Sequence, residues 1–466
     1  MQMELRSLNY VAEACVGELR GGSPDSQVAR VCSDSRLVQA GDLFFAIAGD
    51  RFDGHDFLAE VAKKGVAAVV ADRARIPEGL SCPVIAVDNS RAALGRLAAR
   101  YRYDFNLPLI AVGGSNGKTT TKELIASVLG QGLRTLRSEA SFNNDIGVPL
   151  TLLNLDKSHQ AAVLEVGTNH PGELAPLVKL ARPQLGAITN LGREHLEFFG
   201  DMNGVAAEEG CLAELLPPGG TLFINGDSEW ADRLTHRSRA KVVRVGTGDP
   251  NDWRASKVRV NDTGVTFFVD APEGELSGEY STGLIGRHQA VNALFALAVG
   301  AELKLSQAQM QRGLAECQPA KMRMQLWEWN GVRVLDDAYN ANADSTLAAL
   351  ETLRDMPCKG RRAAVLGDMA ELGTHTQSAH EEVGRRAAQL GLDRLFAAGK
   401  MSGVTAAAAR AAGLAAAEAF PDTDAAAAAV KEFMQPNDLI LLKASRAAKF
   451  ERLAQLLRAT PAPEKN

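Results

Sequence analysis

Ala111-Val-Gly-Gly-Ser-Asn-Gly-Lys-Thr-Thr120 lies between a short apolar run, Leu109-Ile-Ala-Val112, and a helical pattern from Thr120 to Gly130. Glycines in such a turn let successive backbone N–H groups point inward at anionic oxygens. The following helix N-terminus adds its positive end, and Lys118 adds a full charge. Thr119 carries its hydroxyl where such loops coordinate Mg²⁺. The stretch departs from the usual G-x-x-x-x-G-K-[ST] spacing, because Val112 stands at the first glycine position and Gly113 and Gly114 follow it. Its place between strand and helix nonetheless reads as a phosphate-binding loop for a nucleotide, built from Gly114, Ser115, Asn116, Gly117, Lys118, Thr119 and Thr120.

Around the loop, Ala162–Val166 and Leu185–Thr189 are further short apolar runs with a polar residue, Glu165 and Thr189, at or next to the end. That is the pattern of a buried parallel sheet, whose ligands gather at the carboxyl ends of the strands. From about 240 to 285 the pattern alternates with period two, predicting antiparallel strands attached to the same domain. Helices are expected over 288–301 and 307–316, with a linker at Pro319. Beyond it, five strand candidates (332–336, 363–366, 395–398, 416–420 and 439–442) alternate with helices, so a second doubly wound, Rossmann-like sheet is expected. The alanine-rich tract 406–430 reads as helices on that sheet, because alanine is the strongest helix former. Upstream, apolar runs over 42–47, 66–71 and 83–87 and an amphipathic helix over 91–103 form a separate unit. The fold class is therefore α/β with three domains: 1–104, a central P-loop domain over 105–317, and 318–466.

Composition sets the outer bounds. The chain has 466 residues, 46% of them apolar and 23% charged, enough for about three cores. Fifty-one basic residues against 56 acidic ones give a net charge of −5, which argues against nucleic-acid binding through bulk charge. The six cysteines are scattered singly, as expected of reduced thiols in the cytoplasm. Glu4 and Glu13 do not suit a signal peptide, and no apolar stretch is long enough for a membrane span. A cytoplasmic monomer is expected.

Two strand-end residues add chemistry. Glu165 ends a buried run, where a carboxylate either holds a metal or pairs with a buried cation. His195, in Asn190-Leu-Gly-Arg-Glu-His195, follows another strand end and is either a second metal ligand or a structural histidine.

Several runs, taken together, are more specific. They are Ser33-Asp-Ser-Arg36, Phe52-Asp-Gly-His55, Gly114-Ser-Asn-Gly-Lys-Thr119, Asn143-Asn-Asp-Ile-Gly-Val-Pro-Leu150, Gly286-Arg-His-Gln-Ala-Val-Asn292, Asp336-Asp-Ala-Tyr-Asn-Ala-Asn342, Leu366-Gly-Asp-Met-Ala-Glu-Leu-Gly373 and Lys443-Ala-Ser-Arg446. In this order, over essentially the whole chain, they resemble the ATP-dependent Mur ligase family. The resemblance implies an enzyme that activates a carboxylate with the γ-phosphate of ATP and lets an amine attack the acyl phosphate. Within the resemblance, the runs Asp336–Asn342 and Leu366–Gly373 together point to UDP-N-acetylmuramoyl-tripeptide and D-alanyl-D-alanine as substrates. It further implies that Lys118, Glu165, His195 and Arg323 are catalytic, and that Thr119 and Glu165 serve one Mg²⁺ and His195 a second. His288, Asn292, Arg323 and Asp337 fall where the family contacts the nucleotide. Ser35 and Arg36 fall where the uridine diphosphate is held, although Arg36 also suits a surface ion pair. Asn143 and Asn144 fall on the UDP-sugar peptide side, although either suits a helix N-cap. Asn340, Asn342 and Glu371 fall on the dipeptide side, while Tyr339 suits packing equally well.

One departure is informative. The family places a carbamylated lysine on the helix after the metal histidine, whereas here the run is Gly204-Val-Ala-Ala-Glu-Glu-Gly-Cys211. Glu209 aligns with that lysine and is expected to replace it as a metal ligand, with Glu208 next in register. Smaller departures are Met322, Ala343 and Ala444, where the family often has Gly, Pro and Gly. Two rival readings stand beside the main one: another Mur or folylpolyglutamate-type ligase, and a nucleotide switch that makes no bond.

Overall fold

The structure, a computed structural model, describes residues 2–49 and 52–459. Among them the chain forms three sheets, of six, nine and six strands. The central one holds the phosphate loop. Strand Leu109–Gly113 is buried along its whole length and lies between Leu185–Ile188 and Ala161–Glu165, parallel to both. Apart from Glu165 and the glycines these strands carry apolar side chains, as a sheet covered on both faces requires. The carboxyl ends of three neighbouring strands therefore open onto one place, at the positive end of helix Lys118–Leu129.

The sheet continues through Thr221–Asn225, Lys241–Gly246 and Trp253–Asn261, and closes with Gly264–Asp270 and Gly278–Thr282. The period-two region is thus part of the central sheet. Lys241–Gly246 pairs parallel with its neighbours, and antiparallel pairing begins only between Trp253–Asn261 and Gly264–Asp270.

The C-terminal sheet has the five expected strands in parallel, ordered 332–336, 439–443, 362–367, 394–398 and 417–420. A sixth, Gln325–Trp329, was not expected; it pairs antiparallel with Val332–Asp336 through a turn at Asn330 and Gly331, both with positive φ. The alanine-rich tract forms helices Ser402–Ala411 and Thr423–Phe433, which bury Ala406, Ala409, Ala426 and Ala427, with strand Ala417–Phe420 between them. In the N-terminal sheet the strands 43–45, 68–72 and 84–87 run parallel, flanked by three strands that the apolar pattern did not reveal.

The two junctions between sheets differ in kind. One continuous apolar core joins the N-terminal unit to the central sheet, through residues such as Leu97, Tyr101, Leu150 and Leu177. There the buried guanidinium of Arg102 donates to the carbonyls of Ala181 (3.2 Å), Phe105 (2.5 Å) and Leu107 (3.3 Å). Burial pulls its pKa down to about 10. The C-terminal unit meets the central one mostly through polar pairs, such as Arg287–Asp355 (2.8 Å) and Arg333–Asp262 (2.9 Å). Among the described residues no helix is long and apolar enough to cross a membrane.

Arg102→Ala leaves three carbonyls without their donor and is expected to cost about 2–4 kcal/mol. Urea unfolding checks this: an unchanged midpoint would mean that the guanidinium does not hold this junction.

Candidate active site

The phosphate loop is shaped by close contact with its neighbours. Gly114 has φ +106° and Gly117 has φ +84°. A Cβ on Gly114 would lie 2.6 Å from Thr189 Oγ1, and one on Gly117 would lie 2.9 Å from Asn292 Oδ1. Ser115 N donates to Asn190 O (2.6 Å), Ser115 Oγ to Gly192 O (3.2 Å), and Thr189 Oγ1 to Asn116 O (2.7 Å). The loop is thereby fixed to the strand end beside it.

Lys118 Nζ donates to the carbonyls of Gly114 (2.5 Å) and Ser115 (3.2 Å) and lies 3.5 Å from Glu194 Oε2. Burial works to lower its pKa, but Glu194, Glu209 and Glu165 outweigh burial and hold it raised, so the ammonium keeps its charge.

A cleft of about 600 Å³ opens above the loop. Its lining brings together Ser115, Asn116, Gly117, Lys118, Thr119, Thr120, Asn143, Asn144, Glu165, His195, His288, Asn292, Arg323, Asp337, Asn340, Asn342 and Glu371. Thr119 Oγ1 and Glu165 Oε2 are both buried without a hydrogen-bond partner, while Glu165 Oε1 accepts from Asn143 Nδ2 (2.8 Å). Two unsatisfied oxygens are the donors a hard divalent cation prefers, so Thr119 and Glu165 fit Mg²⁺. Among the described residues no group of three or more His, Cys, Asp or Glu side chains could hold a metal. Hydroxyl, phosphate or water oxygens would have to complete the shell.

His195 has φ +49° and Glu371 φ +59°, and the Glu371 carboxylate is hydrogen-bonded to His195 Nδ1. That contact holds the Glu371 carboxyl below its ordinary pKa. Glu371 therefore supports His195, whereas the sequence placed it on the dipeptide side. The other ring nitrogen, Nε2, lies 4.0 Å from Glu194 Oε2.

Glu209 lies elsewhere than expected. It does not line the cleft; its Oε2 accepts from Gly114 N (2.6 Å) beneath the loop, and its Oε1 is buried without a partner. The carboxylate that faces both Lys118 and His195 is Glu194, which the sequence reading missed. Burial raises the Glu209 pKa to about 7, with Lys118 opposing and Glu194 adding to the rise. Glu208 is taken up by structure, accepting from Gly172 N and Leu174 N (2.8 Å each) at the start of helix Leu174–Ala181.

From the C-terminal unit, Arg323 stacks over the ring of Tyr339 (4.3 Å), whose hydroxyl is hydrogen-bonded to Ser141 of the central unit. Asp337 Oδ2 accepts from the buried Lys443 (2.5 Å), a cation given no role from sequence. Asn340 Oδ1 accepts from Arg446 N (3.4 Å). Asn342 caps helix Ala343–Asp355 through Ser345 N (2.8 Å), and its Nδ2 donates to Asn116 Oδ1 (2.9 Å), so its side chain is occupied by the fold. Asn144 likewise caps Gly147 N (2.9 Å). His288 is half-buried in the cleft wall, where desolvation lowers its pKa and keeps the imidazole neutral. Met322 adopts φ +58°, and Ala343 is the first residue of helix Ala343–Asp355.

The structure does not bring Ser35 and Arg36 to this cleft. Arg36 pairs with Asp34 (2.7 Å) on an exposed surface, and Ser35 offers its carbonyl to Lys64 (2.8 Å).

A phosphate loop with unsatisfied oxygens beside it, roofed by basic residues of a second α/β unit, defines a nucleotide-dependent ligase architecture. The chain belongs to the Mur ligase family. The Mur ligase family catalytic domain matches residues 27–102, the Mur ligase middle domain 112–300, and the Mur ligase glutamate ligase domain 322–446. It is 35% identical to the UDP-N-acetylmuramoyl-tripeptide–D-alanyl-D-alanine ligase of Escherichia coli K12, over 97% of this chain and 98% of that one. A crystal structure of MurF from Acinetobacter baumannii superposes with a TM-score of 0.90 at 29% identity, covering 99% of this chain and 100% of that one. MurF from Thermotoga maritima in complex with ADP gives 0.79 at 26% identity, covering 92% and 97%.

The raised Glu209 pKa carries a sign. The folded chain keeps this proton through a window in which the unfolded chain loses it. The contribution to stability is thus full below about pH 4.5 and is lost as pH rises to about 7. Glu209→Gln, uncharged throughout, should gain stability relative to the parent across that window and level off above it. A stability difference that does not vary between pH 4.5 and pH 8 would contradict this placement.

Proposed function

We propose that this chain is an ATP-dependent ligase that joins D-alanyl-D-alanine to the terminal carboxylate of UDP-N-acetylmuramoyl-tripeptide, a step in peptidoglycan precursor synthesis. One observation carries the reaction class: the phosphate loop of the central unit and Arg323, Asp337 and Lys443 of the C-terminal unit face each other across a single cleft. The two substrates rest on the near full-length similarity to curated ligases of that name, which disfavours the folylpolyglutamate-type rival.

In this reading the loop amides and Lys118 hold the β- and γ-phosphates. A carboxylate oxygen of the tripeptide attacks the γ-phosphorus, the bond to the bridging oxygen breaks, and ADP leaves. The amine of the dipeptide then attacks the acyl carbon and phosphate departs, with one proton released. Lys118 and Arg323 concentrate positive charge where two anions must meet, so stabilisation by fixed charges dominates. Mg²⁺, with Thr119 and Glu165 as donors and His195 at a second position, would neutralise phosphate charge. Asn292 and the neutral His288 flank the nucleotide, Asn143 orients Glu165, and Glu371 orients His195. Residues 1–104 take the uridine diphosphate end through Ser35 and Arg36, 105–317 the ATP, and 318–466 the dipeptide.

A switch that binds ATP without forming a bond makes the opposite forecast. Purified protein with ATP, Mg²⁺ and both substrates should yield the UDP-pentapeptide mass, with phosphate release only when both substrates are present. Lys118→Ala should lower turnover by about 10²–10³-fold, and chelation of the metal should stop it. ATP binding with no new peptide mass would overturn the proposal.

A further inference from the structure

The segment from Asn190 to His195 connects two parts of the reaction site. At its start, the carbonyls of Asn190 and Gly192 accept from Ser115 of the phosphate loop. At its end, His195 enters the cleft against Glu371. Between them Arg193 is not part of the cleft lining, although its partner Asp344 is.

What Arg193 grips lies in the other unit. Its backbone N donates to Asp344 Oδ2 (2.7 Å), and its Nε and Nη2 donate to Asp344 Oδ1 (2.9 and 2.7 Å). Its Nη1 and Nη2 reach Glu382 at 2.6 and 3.3 Å. Asp344 sits in the first turn of helix Ala343–Asp355, where a negative charge is favoured by the helix end. Glu382 belongs to the next helix, Thr376–Gln389. The cap of the first helix, Asn342, touches Asn116 of the phosphate loop. One helical turn of the C-terminal unit thus meets both the phosphate loop and the segment bearing His195.

We propose that Arg193 is a positioning residue for ligation. Its guanidinium latches the C-terminal unit over the phosphate loop and, in doing so, sets the approach of His195 and Arg323 to the nucleotide. Two features suit a reversible latch. The side chains of Arg193, Asp344 and Glu382 are about one-third exposed (34%, 32% and 37%), so each pair is screened and modest. The fork geometry engages two carboxylates at once, which a lysine cannot reproduce. Other polar pairs, Arg287–Asp355 and Arg333–Asp262, span the same junction, and Ile285 of the central unit packs into the C-terminal core.

This inference rests on the ligase reading above. The test uses the full chain with Arg193→Ala, Arg193→Lys, Glu382→Ala and the Arg193→Ala/Glu382→Ala pair. Each variant is followed by kcat, by KM for ATP, by melting midpoint and by small-angle scattering without substrates. Arg193→Ala should lower kcat about tenfold while KM for ATP stays within about twofold, and Glu382→Ala should add nothing to it, because Arg193→Ala has already removed the contact that Glu382 makes. Arg193→Lys should recover only part of the loss, and Arg193→Ala should show a larger maximum dimension. Wild-type kcat in Arg193→Ala, additive losses in the pair, or superimposable scattering curves would overturn the proposal. Should Arg193→Ala fail to fold, Glu382→Ala carries the same test, with lower kcat and an expanded scattering profile expected. Scattering needs no turnover, so a parent protein that never ligates counts against the function and not against the latch.

Discussion

Lys118 follows the carboxyl end of strand Leu109–Gly113, in the parallel part of the central sheet, and three carboxylates, Glu165, Glu194 and Glu209, keep it charged in a largely buried place. The rest of the site depends on that arrangement. A carboxylate and a phosphate repel each other by about 4 kcal/mol at 4 Å in an effective dielectric of 20, and in the proposed reaction they must come closer still. A cation held permanently in the interior removes that barrier in advance, but only if the fold supplies counter-charges when no phosphate is bound. Glu194 and Glu209 are therefore as much a part of the phosphate site as the glycines are.

The same requirement explains the division of the chain. The N-terminal unit is welded to the central sheet by an apolar core that runs through both. The C-terminal unit is attached by ion pairs and amide contacts, which break at far less cost than buried hydrocarbon. A cleft roofed by Arg323, Lys443 and Arg446 has to admit and release large charged substrates, and a polar seam allows that. The two positive-φ residues that touch across it, His195 and Glu371, show backbone strain on both faces of the seam.

Much of this was legible from residues alone. The phosphate loop is local chemistry, with glycines, a lysine and a threonine in fixed order, and the strands around it are apolar up to their carboxyl ends because both sheet faces are covered. The strand Gln325–Trp329 was missed although Asn330-Gly331 is a strong hairpin signal, because Glu328 and Asn330 interrupt its apolar pattern. Alignment put Glu209 at the lysine position with Glu208 next in register; adjacent helical residues point about 100° apart, and the packed helix turns Glu209 to Gly114 and Glu208 to Gly172 and Leu174. Arg193 and Glu194 carry no motif. Their meaning comes from partners such as Asp344 and Glu382, 151 and 189 residues away from Arg193. Asn342 reads as a substrate ligand by family position and as a helix cap by its hydrogen bonds.

In the proposed reaction a carboxylate oxygen meets the γ-phosphorus directly above Lys118. Isotope transfer measures this. With ¹⁸O in the terminal carboxylate of the UDP-tripeptide and unlabelled ATP, one turnover should leave one labelled oxygen in the released phosphate and one in the new amide carbonyl. Product formed with no label in the phosphate would contradict the claim.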